Sequence, residues 1–217
     1  VPASDDLLVV AVASARTAGL AALERSAARA GVALEVLGLG LDPYAHDLKL
    51  RLLDERLETV ADATLVLFVD AYDVLLLPAA AQLRERFTAL EREKQGAVVF
   101  NSEVNCAPDP SMRLLYGRPA DGAPFRFLNS GIYLGRARDV RSMLAVVAAD
   151  VEAHHASLGA DPYRFDDQRW FTRHYIRNQN SIAMDVDGVM FHTLHDVDPE
   201  KIEVVPGQHG VVRSSIT

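Results

Sequence analysis

The sequence predicts an α/β protein built on one mixed, mostly parallel sheet with helices on both faces. Three observations carry that expectation. Apolar, Val-rich runs recur without polar alternation, as strands covered on both faces do. Segments of helical periodicity separate them, and roughly the last forty residues change to short strand-like pieces divided by Asp, Gly and Pro. Alternating βα units with a β-rich end fit one layered sheet better than two domains. Residues 1–217 are therefore expected to form a single domain, cut short at its C-terminus.

The first strand is Leu7–Ala13 (LLVVAVA), which runs into Ser14 and Ala15 as a buried strand runs into a loop. A helix over Ala18–Ala30 follows, with Leu20, Leu23 and Ala27 at helical spacing and Gly31 suited to a left-handed C-cap. Val32–Leu37 reads as a second strand, and Gly38–His46 as a Gly/Asp/Pro loop. Asp47 then caps a helix that lines up Leu50, Leu53, Leu57 and Val60 on one face. Thr64–Val69 (TLVLFV) is the third strand, with Asp70 at its C-terminal end, where open α/β sheets bind ligands.

Pro78 is expected to open a helix reaching about Lys94, and Ala97–Phe100 to form a fourth strand followed by Asn101, Ser102 and Glu103. An irregular stretch, Ala107–Pro124, precedes a strand over Leu128–Leu134, a helix over Val140–Ala156 and another over Asp166–Tyr175. Ile182–Met184, Val189–Phe191, Ile202–Val205 and Val211–Val212 are the terminal strand pieces. The sequence shows neither a repeat nor a linker.

Composition narrows the function. At 49% hydrophobic, 217 residues bury an ordinary core. A net charge of −8 excludes a broad nucleic-acid or anionic-membrane surface, because phosphate-rich partners select clustered Lys and Arg. A bound polyanion would need a local cationic centre such as a metal ion. The single Cys106 removes any internal disulfide or Cys-rich zinc site. No run reaches the roughly 18 apolar residues of a membrane span, and a start at Val1 suggests a processed chain.

The strongest local signal is Phe68-Val69-Asp70-Ala71-Tyr72-Asp73-Val74, an apolar strand leading directly into two carboxylates. Carboxylate oxygens are hard ligands for Mg²⁺ or Mn²⁺, and such ions bridge protein acids to substrate phosphates. Acids also end strands and begin turns routinely, and a phosphohydrolase with an Asp nucleophile is a third reading, although those sites usually space their acids Asp-x-Asp. Asp166-Asp167-Gln168 is the second acidic cluster. It either caps a helix or serves an acceptor hydroxyl or a developing sugar cation. Phe127-Leu128-Asn129-Ser130-Gly131 offers small polar groups for sugar hydroxyls, although Asn-Ser-Gly is also a common turn.

Val12-Ala13-Ser14, Val36-Leu37-Gly38-Leu39-Gly40, Lys49, Phe68–Val74, Phe127–Gly131 and Asp166-Asp167-Gln168 occur in one order. Over about Leu7 to Phe191 that order resembles the glycosyltransferase domain of the procollagen lysyl hydroxylases. Val-Asp-x-Tyr-Asp-Val with Phe-Leu-Asn-Ser-Gly is far more specific than either motif alone. The resemblance implies a GT-A-like (Rossmann-like) fold, a UDP-sugar donor, Mn²⁺ and, with them, the lumen of the secretory pathway. It assigns Asp70 and Asp73 to the metal, Val69 and Tyr72 to the uridine, and Ala13, Ser14 and Lys49 to the nucleotide pocket. Asn129, Ser130, Gly131 and Gln168 fall on the donor side, Asp166 and Asp167 beside the donor sugar as the catalytic acids, and Glu103 with Cys106 on the acceptor side.

The chain departs from the family's pattern in three places. Gly38–His46 is shorter and lacks the family's tryptophan and glycine run, and Cys106-Ala107-Pro108 replaces Cys-Trp-Pro. The family's metal-binding histidine has no clear match: His209-Gly210 shares two letters with its segment, and His192 and His195 fall earlier. The expected activity is transfer of a hexose from UDP-glucose or UDP-galactose to a hydroxyl acceptor on a glycan, a hydroxylysine-linked sugar or a protein. The alternative is a non-catalytic GT-A-like binding module.

Overall fold

A computed structural model describes residues 7–41, 47–77, 80–94, 98–118, 123, 125–179, 182–195, 200, 202–204 and 212–214. Pro78, Ala97, residues 42–46 of the Gly/Asp/Pro loop, residues 119–122, Pro124, Val205, Val211 and the His209-Gly210 pair lie outside them.

The order is β1 (Leu7–Val12), α1 (Ala18–Arg29), β2 (Leu34–Leu37), α2 (Asp47–Leu57), β3 (Leu65–Asp70), α3 (Ala80–Lys94) and β4 (Val98–Glu103). There follow a 3₁₀ turn at Pro110–Leu114, β5 (Phe127–Arg136), α4 (Ala137–His154), a 3₁₀ turn at His155–Leu158, α5 (Asp167–Arg177) and β6 (Ile182–Met184). β7 (Ile202–Val204) and β8 (Val212–Ser214) pair antiparallel as a separate ribbon.

The main sheet has the order β2-β1-β3-β5-β4-β6. β1 pairs parallel with β2 and β3, and β4 with β6, whereas β5 runs antiparallel between β3 and β4. This is the mixed, mostly parallel, GT-A-like sheet that the sequence predicts. The reversed β5 brings its first residues, Phe127–Gly131, to the edge where β1, β3 and β4 end.

Both faces are covered, which is why the strands read as unbroken apolar runs. Val10, Val12, Val66 and Phe68 pack with Leu50, Leu53 and Leu57 of α2, Val140, Leu144 and Val147 of α4, and Trp170 and Phe171 of α5. Val9, Ala11, Leu65, Leu67 and Val69 pack on the other side with Leu20 and Leu23 of α1 and Leu83 and Phe87 of α3. α1 starts at Thr17, whose hydroxyl accepts the Leu20 N–H, and ends before Gly31 at φ 71°, the left-handed cap that its sequence predicts. Among the described residues, no helix is long and apolar enough to cross a membrane.

Two expectations need correction. Asn101, Ser102 and Glu103 do not follow the fourth strand; they extend it, and all three are buried. An irregular register at Phe100/Asn101 keeps them paired to β5. Val189–Phe191 is not a strand. The carboxylate of Asp185, 1% exposed, accepts the N–H groups of Val189, Met190 and Phe191 at 2.9, 2.7 and 2.7 Å. A side chain thus takes the donors that a neighbouring strand would otherwise use.

Candidate active site at the strand ends

Alternation along β3 decides where Asp70 points. Val66 and Phe68 face α2 and α5, so Asp70, two residues further, leaves the sheet on that same face. Lys49, in the first turn of α2, meets it there: Nζ lies 2.7 Å from Asp70 Oδ1 and 3.4 Å from Asp167 Oδ2. The three side chains are 12%, 29% and 5% exposed, so the ion-pair triad is sheltered but open on the Asp70 side. Three groups drawn from distant parts of the sequence therefore converge on one point.

Beneath the triad, Tyr133 is buried against Phe68 and Phe100, with ring centroids 4.8 and 4.9 Å away. Burial pushes its hydroxyl well above its usual pKa, and the nearby charges of Asp167 and Asp70 push the same way. Gly131 keeps the opposite wall thin. A Cβ there would stand 3.1 Å from Asp70 Oδ2 and 3.0 Å from Asn129 Oδ1.

Asp73 lies on the exposed loop after β3. Desolvation, and then the charge of Asp70, raise its pKa above the ordinary carboxylate value, with Lys49 opposing. Two acids that repel one another, with only one directly paired to the lysine, form a donor set suited to a hard cation. Such ions commonly take one or two carboxylates and fill their other positions with phosphate oxygens and water. Asp70 and Asp73 fit that pattern, and among the described residues no group of three or more His, Cys, Asp or Glu forms a closed metal cage.

The loop that carries Asp73 is held by α1. A Cβ on Gly19 would fall 2.0 Å from the Tyr72 carbonyl oxygen, so only glycine allows the helix to press on this loop. Tyr72 is 42% exposed, and its hydroxyl accepts from the Ala15 N–H and donates to the Ala15 carbonyl, each at 3.3 Å. Desolvation opposes ionisation of this phenol, but hydrogen bonds from Ala15 and Ser14 outweigh it and lower its pKa. Ala13 and Val69 are fully buried behind the loop. The Ser14 carbonyl accepts the Gly40 N–H at 2.8 Å, which ties the ends of β1 and β2 together.

Glu103, which the resemblance puts on the acceptor side, anchors a second, adjoining network. Glu103 Oε1 accepts from Gln168 Nε2 at 2.9 Å and from Asn129 Nδ2 at 3.2 Å. Burial pushes the Glu103 carboxyl above its usual pKa, against these hydrogen bonds and the charge of His195. Gln168 also donates to the Ala107 carbonyl and accepts the Ser130 N–H at 3.1 Å, so it joins α5 to β4 and β5. Cys106 is buried, with Sγ 3.4 Å from the Asp109 carbonyl, and burial raises its thiol pKa.

The two acids of Asp166-Asp167 separate in role. Asp166 is the N-cap of α5, its Oδ1 accepting the Arg169 N–H, whereas Asp167 turns inward to Lys49. Sequence reasoning placed Asn101 at a strand end without a role, and did not single out Gly19, Tyr133 or Arg169. Asn101 links Asn129 to Thr193, and Arg169 is bidentate on Asp109 and reaches Asp161. A glycine in the first turn of a helix was the one available signal, since it is disfavoured there unless a close approach demands it.

Comparison with known proteins identifies the family. The family model for the PLOD GT domain matches residues 3–214. The chain is similar to the multifunctional procollagen lysine hydroxylase and glycosyltransferase of Caenorhabditis elegans, 30% identical over 88% of this chain and 26% of that protein. It is also similar to the procollagen-lysine,2-oxoglutarate 5-dioxygenase of Drosophila melanogaster, 29% identical over 88% of this chain and 26% of that protein. The human procollagen-lysine,2-oxoglutarate 5-dioxygenase 1 is 34% identical over 65% of this chain and 20% of its own length. The chain thus spans about a quarter or less of these relatives. With its strand-end acids in a mixed sheet and a family match over nearly its whole length, the chain belongs to the PLOD family of glycosyltransferase (GT) domains.

Proposed function

We propose that the chain transfers a hexose from UDP-glucose or UDP-galactose to a hydroxyl of a glycan or protein acceptor, with Mn²⁺ held by Asp70 and Asp73. The observation that carries this reading is the convergence of Asp70, Lys49 and Asp167 at the strand ends. A cation bound there would supply charge stabilisation for the departing diphosphate. Tyr72 and Ser14 would bound the uridine, with Val69 packed behind them, and Lys49 would neutralise phosphate oxygens. Asp167, sheltered beside Lys49, would orient the sugar or support the positive charge that develops on it. Glu103, held by Asn129 and Gln168, lies on the acceptor side, where a carboxyl of raised pKa suits proton transfer with a hydroxyl.

Calorimetric titration with UDP tests the donor site. Binding should require Mn²⁺ and be lost in Asp70→Ala; equal binding without metal contradicts the reading. A screen of nucleotide sugars for UDP release then identifies the donor and separates an enzyme from a binding module, which would release none.

A further inference from the structure

The Lys49 ammonium is itself a cation lying on Asp70, at 2.7 Å from Oδ1, and its charge also bears on Asp73. The same ammonium reaches Asp167, which is 5% exposed and would otherwise face Asp70 across the site as a like charge. A divalent ion on Asp70 and the lysine on the same carboxylate are like charges in one place, only partly screened by water. They cannot both hold that carboxylate at full strength.

We propose that Lys49 is a tethered counter-ion that fixes Asp70 and Asp167 while the donor is absent and leaves Asp70 only when a diphosphate arrives to receive it. This rests on Asp70 being a metal ligand, as proposed above. Metal and nucleotide then enter together: the ion alone must compete with the ammonium, whereas an ion arriving with UDP brings the anion that draws the ammonium away. Binding of the two is coupled, and by linkage each raises the other's affinity by the same factor. Lys49 is thus a positioning residue that sets the order of loading.

The test is Lys49→Met, which keeps the unbranched stem up to the ammonium and removes the charge, with Lys49→Arg as the charge-retaining control. Mn²⁺ alone is titrated against each protein by the loss of its free-ion paramagnetic resonance signal, and UDP is titrated by calorimetry with and without Mn²⁺. For Lys49→Met, Mn²⁺ alone should bind about tenfold tighter or more, while UDP in saturating Mn²⁺ binds more weakly. Lys49→Arg should stay near wild type in the metal-only titration.

A merely structural lysine would weaken both bindings together, and that result overturns the proposal. So does unchanged metal-only affinity in a Lys49→Met protein that melts cooperatively. Should that variant fail to fold, the wild type decides: equal Mn²⁺ affinity with and without saturating UDP overturns the coupling. If the wild type binds UDP equally well without metal, the metal reading of Asp70 falls and this proposal falls with it. If UDP binding needs Mn²⁺ and Asp70 but Lys49→Met does not separate the two affinities, only the role of Lys49 is lost.

Discussion

Gly131→Ala is the sharpest perturbation of the wall beside Asp70, because the added methyl meets two atoms that are already held. Its carbon would lie 3.0 Å from Asn129 Oδ1 and 3.1 Å from Asp70 Oδ2, so each neighbour must give by a few tenths of an ångström. Asn129 Oδ1 is fixed by the Gly131 N–H at 2.9 Å and the Asn101 amide at 3.2 Å. Asp70 is fixed by Lys49 at 2.7 Å. The backbone itself does not object, since Gly131 is not among the glycines at positive φ. Crowding a packed site costs about 1–3 kcal/mol, and the stiffer unfolded chain returns about 0.4–1 kcal/mol. A net loss of about 1 kcal/mol should appear in urea unfolding. Displacing the Asp70 carboxylate should also weaken Mn²⁺-dependent UDP binding by about tenfold, equivalent to 1.4 kcal/mol. An alanine variant as stable as wild type that binds UDP equally well would refute the idea that this wall is at its limit.

The other predictions concern charge, close packing and buried donors. Glu103 has a folded pKa above the unfolded 4.5, so its protonated form is the better fit to the fold. Its ionisation therefore removes stability progressively as pH rises from about 4.5 through the folded pKa. Glu103→Gln, whose amide oxygen can still accept from Gln168 and Asn129, should melt higher than wild type at pH 7 and lose that advantage below pH ~4.5. Identical melting profiles from pH 4 to 8 would count against this. Gly19→Ala should lower stability by at least about 2 kcal/mol and weaken UDP binding, since its methyl would meet the Tyr72 carbonyl oxygen at 2.0 Å. Asp185→Ala leaves three N–H groups, two of them buried, without their carboxylate and should cost about 3–5 kcal/mol in urea unfolding.

The layers of the fold were legible because each βα unit carries its own local signal. The Leu7–Val12 and Leu65–Asp70 strands begin and end within a residue or two of their apolar runs, and Gly31 marks the end of α1. Two kinds of information were not local. β5 could be seen as a strand, but its reversal between β3 and β4 depends on pairings with residues 65–69 and 98–103 that no window of sequence contains. The Val189–Phe191 strand was misread because its apolar pattern is real while its hydrogen bonds go to a carboxylate four to six residues upstream.

The same distinction separates what could be read of the site from what could not. Asp70 was visible as an acid at a strand end, but β3 is buried on both faces, and an unbroken apolar run gives no parity by which to assign the acid to one of them. Packing assigns it: Val66 and Phe68 face α2 and α5, so Asp70 must look toward Lys49 and Asp167 and away from α1. That placement also divides Asp166 from Asp167. Both satisfy the acidic preference of a helix start, yet one residue of helical rotation leaves Asp166 closing the first turn and turns Asp167 inward to the lysine. A motif thus names the acids, while the face of the sheet and the phase of the helix determine which of them meet Lys49.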